Sequence, residues 1–406
     1  MKLHRFALGA LAAAGACAAV AIALPAIAEE KPVKIALIAD KTGPLEAYAK
    51  QTSAGLAMGL EYATGGTMTV AGRKLVVIEK DSQTKPDVGR NLLGEAYTDD
   101  GADIAIGGTS SAVALAMLPV AQDNKKILIV EPAVADSITG DKWNRYIFRT
   151  GRNSTQDAVS NALAIGKPGV VIATLAQDYA FGRDFVAAFR QALAPTGAKL
   201  VFEEYAPMTT TDFTASYQRI FDALAKEQGK KIIFINWAGG GNPMSALKAL
   251  NPDRLGISMA TGSNILPALV AYKDFPGMEG AGYYYYENPK NKVNDWLVAE
   301  NRKRYNAPPD FFTAGGFIAA QAVVAALKKT NGSTDTEKLI AAMEGMSFDS
   351  PKGTVTFRKE DHQLLQPMYA FKLKVDPNVQ WGIPELVREI SIKEMQIPIR
   401  NGAAAH

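Results

Sequence analysis

The sequence predicts an α/β protein built as two doubly wound parallel-sheet lobes. Three observations lead there. Short apolar runs alternate with segments of helical period, the pattern that lays helices on both faces of a parallel sheet. The alternation proceeds to about residue 150 and then restarts, so two sheets are expected rather than one. The chain has 406 residues, 48% of them hydrophobic, which is enough to fill two cores.

Residues 1–30 stand apart as a targeting segment. Lys2, His4 and Arg5 make a basic start, and residues 6–24 are apolar and rich in alanine. Ala26-Ile27-Ala28 is a small-residue cleavage site, so export to the periplasm and cleavage after Ala28 are expected. An uncleaved anchor is the rival reading. Cys17 raises lipidation, against which the continuing apolar run argues. Cleavage removes the one cysteine, and with it thiol chemistry and disulfides. It also removes Lys2 and Arg5, which brings the 44 basic and 41 acidic residues of the full chain nearly into balance. The basic footprint of a nucleic-acid binder is absent.

The first run of elements reads strand 33–39, helix 52–63, strand 75–79, helix 86–99, strand 104–106, a helix to about 124, strand 127–130 and strand 146–150. The second reads helix 155–165, strand 170–175, helix 182–193, strand 199–204, helix 213–227, strand 231–237 and helix 243–250, the last capped by Asn242-Pro243. Strand 256–260 and helix 265–272 follow. A crossing strand at 280–286, helices 293–305, 311–330 and 336–343, and antiparallel strands 354–358 and 369–375 complete the chain. The apolar stretch 317–327 reads as a buried helix, too short to cross a bilayer. The end of the chain is expected to be a loose tail over 391–406.

Residues 104–139 carry the functional signal. Gly107-Gly108 ends a strand and permits a tight turn, and Thr109, Ser110 and Ser111 stand where a helix begins. Open parallel sheets bind ligands beyond the carboxyl ends of their strands. A hydroxyl-rich turn entering a helix offers free N–H groups and a positive dipole end, which suits a carboxylate. An ordinary helix cap is the plain alternative for Ser110 and Ser111.

The leader, KIALIADKTGPLEAYA near the mature start, GGTSSAVALAMLPVAQ, the ILIVEPA strand end, QDYAFGRDF and the closing GTVTFRKEDHQ together resemble a periplasmic solute-binding protein. The family is that of the leucine/isoleucine/valine-binding proteins of ABC importers, and the resemblance spans essentially the whole mature chain. It implies two lobes joined by a three-crossing hinge, with the ligand cleft between them. The crossings are expected near Gly151, Tyr285 and Phe357. Lobe 1 is then expected at 29–151 and 286–356, and lobe 2 at 152–285 and 357–390. The implied partners are a small-molecule carboxylate and an inner-membrane ABC permease, with no cofactor and a monomeric protein.

The resemblance also suggests a site. Ser110 or Ser111 matches the family serine that holds the ligand carboxylate, with Thr109 beside them. Ala133 and Ala135 match positions just past the strand-end proline, where Ala133 offers a backbone N–H and Ala135 replaces a usual threonine. Gly262 stands about where amino-acid binders place the acid that pairs the ligand's ammonium. An unpaired ammonium in a closed cleft costs several kcal/mol. Either Glu131 or Asp136 supplies that charge or the ligand has none, and the second option is favoured. Asp136 also fits a helix cap, and Glu131 a partner for a nearby base. Tyr48, Tyr179, Trp237 and Phe312 fall where rings can line the cleft, which suits a planar aromatic acid, although each could equally be core. At most two of Tyr283–Tyr286 can face the cleft if they form a strand. Arg152 suits either a carboxylate or a hinge ion pair.

Rival classes leave little trace. An enzyme would need a constellation that is missing: no G-x-S-x-G, no metal-ligand spacing, and one internal histidine, His362, in a loop without a motif around it. The Gly239–Gly241 turn lacks the residues of a phosphate loop. A soluble sensor that docks to a separate receptor stays open.

Overall fold

The computed structural model describes residues 31–241 and 243–402. The leader with its cleavage site, Asn242 of the expected cap and the last four residues lie outside them. The first lobe begins β1 (Val33–Ala39), α1 (Glu46–Ala63), β2 (Thr69–Val70), β3 (Arg73–Asp81), α2 (Pro86–Thr98), β4 (Ile104–Gly107), α3 (Ser111–Asn124), β5 (Ile127–Val130) and β6 (Ile147–Arg149). These strands form one sheet in the order β2-β3-β1-β4-β5-β6. All its pairs are parallel except the short β2–β3 hairpin.

The second lobe runs α4 (Ser154–Ile165), β7 (Val170–Gln177), α5 (Ala180–Leu193), β8 (Lys199–Ala206), α6 (Thr214–Ala225), β9 (Lys230–Asn236), α7 (Met244–Ala249), β10 (Ile257–Thr261) and α8 (Leu266–Tyr272). Its parallel sheet has the order β10-β9-β7-β8. The chain then crosses through β11 (Glu279–Gly282) to α9 (Lys292–Tyr305), α10 (Phe311–Lys329) and α11 (Thr336–Met343). It ends with β12 (Ser347–Ser350), β13 (Gly353–Phe357), β14 (Leu364–Leu365), β15 (Met368–Lys374), β16 (Ile383–Ile390) and α12 (Ile392–Met395). β11, β15 and β16 make one small antiparallel sheet, and β12–β14 another.

Two separate doubly wound sheets therefore replace any single continuous one. Their apolar strands read as uninterrupted runs because both faces are covered; all eight residues of β7 are buried. α10, apolar along its whole length, is the central helix of the first lobe. It packs on α1 through glycines that bring the backbones together. A Cβ on Gly55 would sit 2.0 Å from the Thr313 carbonyl oxygen, and one on Gly316 2.1 Å from that of Thr52. α1 begins at Glu46, a full turn and more before the expected start.

Two expectations need correction. The strand expected over 280–286 stops at Gly282. Tyr283, Tyr284 and Tyr285 are all buried because each ring finds its own environment instead of alternating on a sheet. Tyr284 donates to Asn294 Oδ1 at 2.7 Å, while Tyr285 accepts from Trp381 Nε1 at 3.2 Å. The tail is also not loose from residue 391. Met395 and Ile397 pack into the first-lobe core, and Arg358 donates to the Ile397 carbonyl oxygen at 2.5 Å. The crossing segments are tied to one another. Gln363 Nε2 donates to Gly151 O at 2.8 Å and Gln366 Nε2 to Thr150 O at 3.0 Å.

Candidate functional site

The carboxyl ends of both sheets face a cleft lined from both lobes. On the first-lobe side the wall begins at the β4–α3 turn. Gly107 (φ 144°) and Gly108 (φ 80°) hold backbone conformations that a side chain resists. A Cβ on Gly107 would also meet the Ile38 carbonyl oxygen at 2.0 Å. Asp40, at the end of β1, fixes the next residues. Its carboxylate accepts from Ser110 N–H at 3.0 Å, and its own N–H donates to Thr109 Oγ1 at 3.2 Å. Burial pushes the Asp40 carboxyl upward, opposed by its bonds to Ser82, Ser110 and Thr84. Nothing in the local sequence marks this buried acid, whose partners lie 42 to 70 residues away.

The two serines divide the roles left open for them. Ser110 caps α3, accepting from Ala112 N–H at 3.3 Å, and does not line the cleft. Thr109 and Ser111 do line it. Ser111 Oγ accepts from Val134 N–H (3.3 Å) and Ala135 N–H (3.2 Å), which leaves its proton to donate.

Past β5, Pro132, Ala133 and Val134 line the wall. Ala133 N–H is not available to a ligand: it donates to Gly108 O at 3.2 Å. Ala135 is fully buried outside the cleft, and its carbonyl accepts from Arg149. Asp136 is also outside. It does not cap its own short turn but the first turn of α4, accepting from Thr155 N–H at 2.9 Å and Thr155 Oγ1 at 2.5 Å. Glu131 lies behind the wall, 1% exposed, with one oxygen so near Gly315 that a Cβ there would be 2.0 Å away. It accepts from Thr150 Oγ1 at 3.3 Å and makes no ion pair within 4 Å among the described residues. Burial pushes its carboxyl up to about 7, partly offset by the positive charge of Arg152. Neither acid is placed to meet a ligand ammonium.

Rings dominate the rest. Tyr48, Tyr179, Trp237 and Phe312 all line the cleft, joined by Phe181, Phe185, Phe234, Tyr283 and Phe311. Tyr48 and Phe312 touch, with centroids 4.4 Å apart. Tyr48 also bridges the lobes: its hydroxyl accepts from Gly239 N–H at 2.9 Å and donates to Asn264 Oδ1 at 3.2 Å. Trp237 is held by its own Nε1, which donates to Gly240 O at 3.2 Å, and packs edge-on to Phe213.

Arg152 is the cation of the site. It follows β6, in the segment that leaves the first lobe, and lines the cleft. Its guanidinium lies over the rings of Phe311 (4.9 Å), Tyr283 (5.5 Å) and Phe312 (5.9 Å). Nε donates to Asp157 Oδ1 at 3.0 Å, and the two terminal nitrogens donate to no group among the described residues. Asp157, Asn161, Asn236 and Ser263 also line the cleft and were not picked out from the sequence, and of the Tyr283–Tyr286 run Tyr283 lines it. Gly262 lines it without a side chain, so the second lobe brings Thr261, Gly262, Ser263 and Asn264 where an acid could have stood. His362 is elsewhere, stacked on Phe148 at 3.9 Å with Nδ1 against Ile147 O.

The sequence model of the periplasmic binding protein family matches residues 32–378. The chain belongs to that family. This periplasmic binding protein is similar to a Rhodopseudomonas palustris CGA009 protein described as an ABC-type branched-chain amino acid transporter. The two are 71% identical with a TM-score of 0.82, over 91% of this chain and 99% of that one. It is also similar to a solute-binding protein of Rhodopseudomonas palustris BisB5 solved with 3,4-dihydroxybenzoic acid (28% identity, TM-score 0.78, 89% of this chain and 98% of that one). A Leu/Ile/Val-binding protein homolog of Brucella melitensis is 25% identical over 83% of this chain and 86% of its own length. The family implies a periplasmic place, a small-molecule ligand and an inner-membrane ABC permease, and it is one of binding and transport rather than catalysis.

Proposed function

We propose that this protein captures a small organic acid, aromatic (benzoate- or phenylpropanoid-like) or keto, and delivers it to its permease by lobe closure. The observation that carries this reading is Arg152. A guanidinium caged by three rings, with two terminal nitrogens unused by the described protein, suits a bidentate carboxylate beside an aromatic plane. Thr109 and Ser111 supply hydroxyl donors from the first lobe. Ser110 and Ala135 support the wall. The absence of a side chain at Gly262 argues for a ligand without an ammonium, and the relative that binds 3,4-dihydroxybenzoic acid supports the aromatic class. Closure pivots on the crossing segments around 150–153, 283–290 and 357–367, and the protein acts as a monomer.

Asp157 favours a second reading. Only one of its oxygens is engaged, so an amino acid could set its ammonium there. Calorimetry on the purified protein separates the two. Aromatic or keto acids are expected to bind, and Arg152→Gln to weaken them by about 1.5–3 kcal/mol as a charged hydrogen-bond partner is lost. Tight binding of leucine or valine that Asp157→Asn abolishes, with no response to aromatic or keto acids, would establish the second reading in place of the first.

A further inference from the structure

Three polar side-chain atoms in the cleft wall are buried and find no hydrogen-bond partner among the described residues: Asn236 Nδ2, Ser263 Oγ and the Tyr283 hydroxyl. Two of them lie at the ends of neighbouring strands. Asn236 is the last residue of β9, and Ser263 lies two residues past β10. These strands are parallel neighbours with Ile235 opposite Thr261. Continuing that register sets Asn236 beside Gly262, which has no side chain to fill the gap, and Ser263 one step further.

The surrounding polar groups are satisfied. Thr261 Oγ1 donates to Ile235 O at 2.7 Å. Asn264 Oδ1 accepts from Tyr48 and from Ile265 N–H. Gln177 both donates to and accepts from Ala238. At the ends of β9 and β10 the buried, unpaired atoms are therefore those of Asn236 and Ser263, with the Tyr283 hydroxyl the third in the cleft wall. A buried polar group left unpaired costs about 1–3 kcal/mol, so the pair is suited to something that enters the cleft. Both groups are uncharged. They match neither a second carboxylate nor an ammonium as well as they match a neutral polar group. An asparagine amide can present either its nitrogen or its oxygen, and a serine hydroxyl donates or accepts. A ligand hydroxyl answers every one of those arrangements, whereas a keto oxygen answers only the donors.

We infer that Asn236 and Ser263 read a hydroxyl that the ligand carries in addition to its carboxylate, so that the protein selects hydroxy-substituted acids over their unsubstituted counterparts. The inference rests on the reading of an aromatic acid ligand given above. Selection follows from the unsubstituted acid leaving both groups unpaired in a closed, dry cleft. A site built to bond a hydroxyl rejects the analogue lacking it far more strongly than an apolar pocket rejects a change of size.

The test is calorimetry with benzoate, 3-hydroxybenzoate and 4-hydroxybenzoate on the wild type and on the double variant Asn236→Leu/Ser263→Ala. At least one hydroxybenzoate is expected to bind the wild type about tenfold or more tighter than benzoate. The double variant is expected to bring that ratio to within about threefold by losing hydroxybenzoate affinity while benzoate affinity holds or rises. Equal wild-type affinities for all three acids overturn this inference alone. So does a double variant that folds and keeps the wild-type ratio. Failure of all three acids to bind overturns it together with the benzoate-like reading beneath it. The wild-type ratio decides the matter even if the double variant does not fold.

Discussion

Ser110 and Ser111 stand side by side in the chain and do different things, and single substitutions will separate them. Ser110→Ala removes the α3 cap and is expected to cost about 1 kcal/mol of stability with ligand affinity unchanged. Ser111→Ala is expected to weaken ligand binding while leaving α3 capped. Chemical denaturation and calorimetry on the two variants report these separately, and equal effects on binding would contradict the division. Some of the site was legible at this scale. Tyr48, Tyr179, Trp237 and Phe312 sit at strand ends or helix starts, where the chain order alone places them at a cleft. Tyr283 was not singled out of the Tyr283–Tyr286 run, which looked like a strand, and Asp157 and Asn161 were not legible, because they come from a helix flank. Nor were the losses of Glu131 and Asp136 from the site. A carboxylate one or two residues from the wall can point behind it, and only packing against Gly315 or Thr155 decides which way.

At the scale of elements, hydrophobic runs placed nearly every strand and helix of both sheets, since fully covered parallel strands are apolar end to end. What periodicity missed were the short β2, β12 and β14 and the final strand β16, which are too short or too exposed to give an apolar run. The α1–α10 contact was equally silent, because glycine records where two backbones must meet only once the partner is known. It has a sharp consequence. Gly55→Ala forces a methyl group against the Thr313 carbonyl and is expected to cost about 1–3 kcal/mol in urea unfolding. The same change at exposed Gly66, where a Cβ meets nothing within 4 Å, lacks that clash and is opposed only by a left-handed backbone.

The whole molecule carries a pH signature in two buried carboxyls. Glu131 is pushed up to about 7 and Asp310 to about 6, both mainly by burial. The folded protein thus holds protons that the unfolded chain has released above its ordinary carboxylate values. Stability from these groups is greatest at low pH and falls as pH rises from about 4.5 to about 7. Glu131→Gln is expected to flatten most of that slope in unfolding free energies measured between about pH 5 and pH 8, and an unchanged slope would show that Glu131 does not titrate there. Tyr48 acts at the same scale. Tyr48→Phe keeps the ring on Phe312 but breaks the bonds to Gly239 and Asn264. It is expected to cost closure about 1 kcal/mol, a fall of about fivefold in ligand affinity, read by calorimetry.

That bridge runs from protein to protein, so its contribution does not depend on what is carried. A gain granted to every guest alike cannot sort one guest from another. Strengthening or removing the hydroxyl's two bonds moves all dissociation constants by a common factor and leaves their rank untouched. Discrimination has to be written into the walls, and the grip and the choice can therefore be tuned separately.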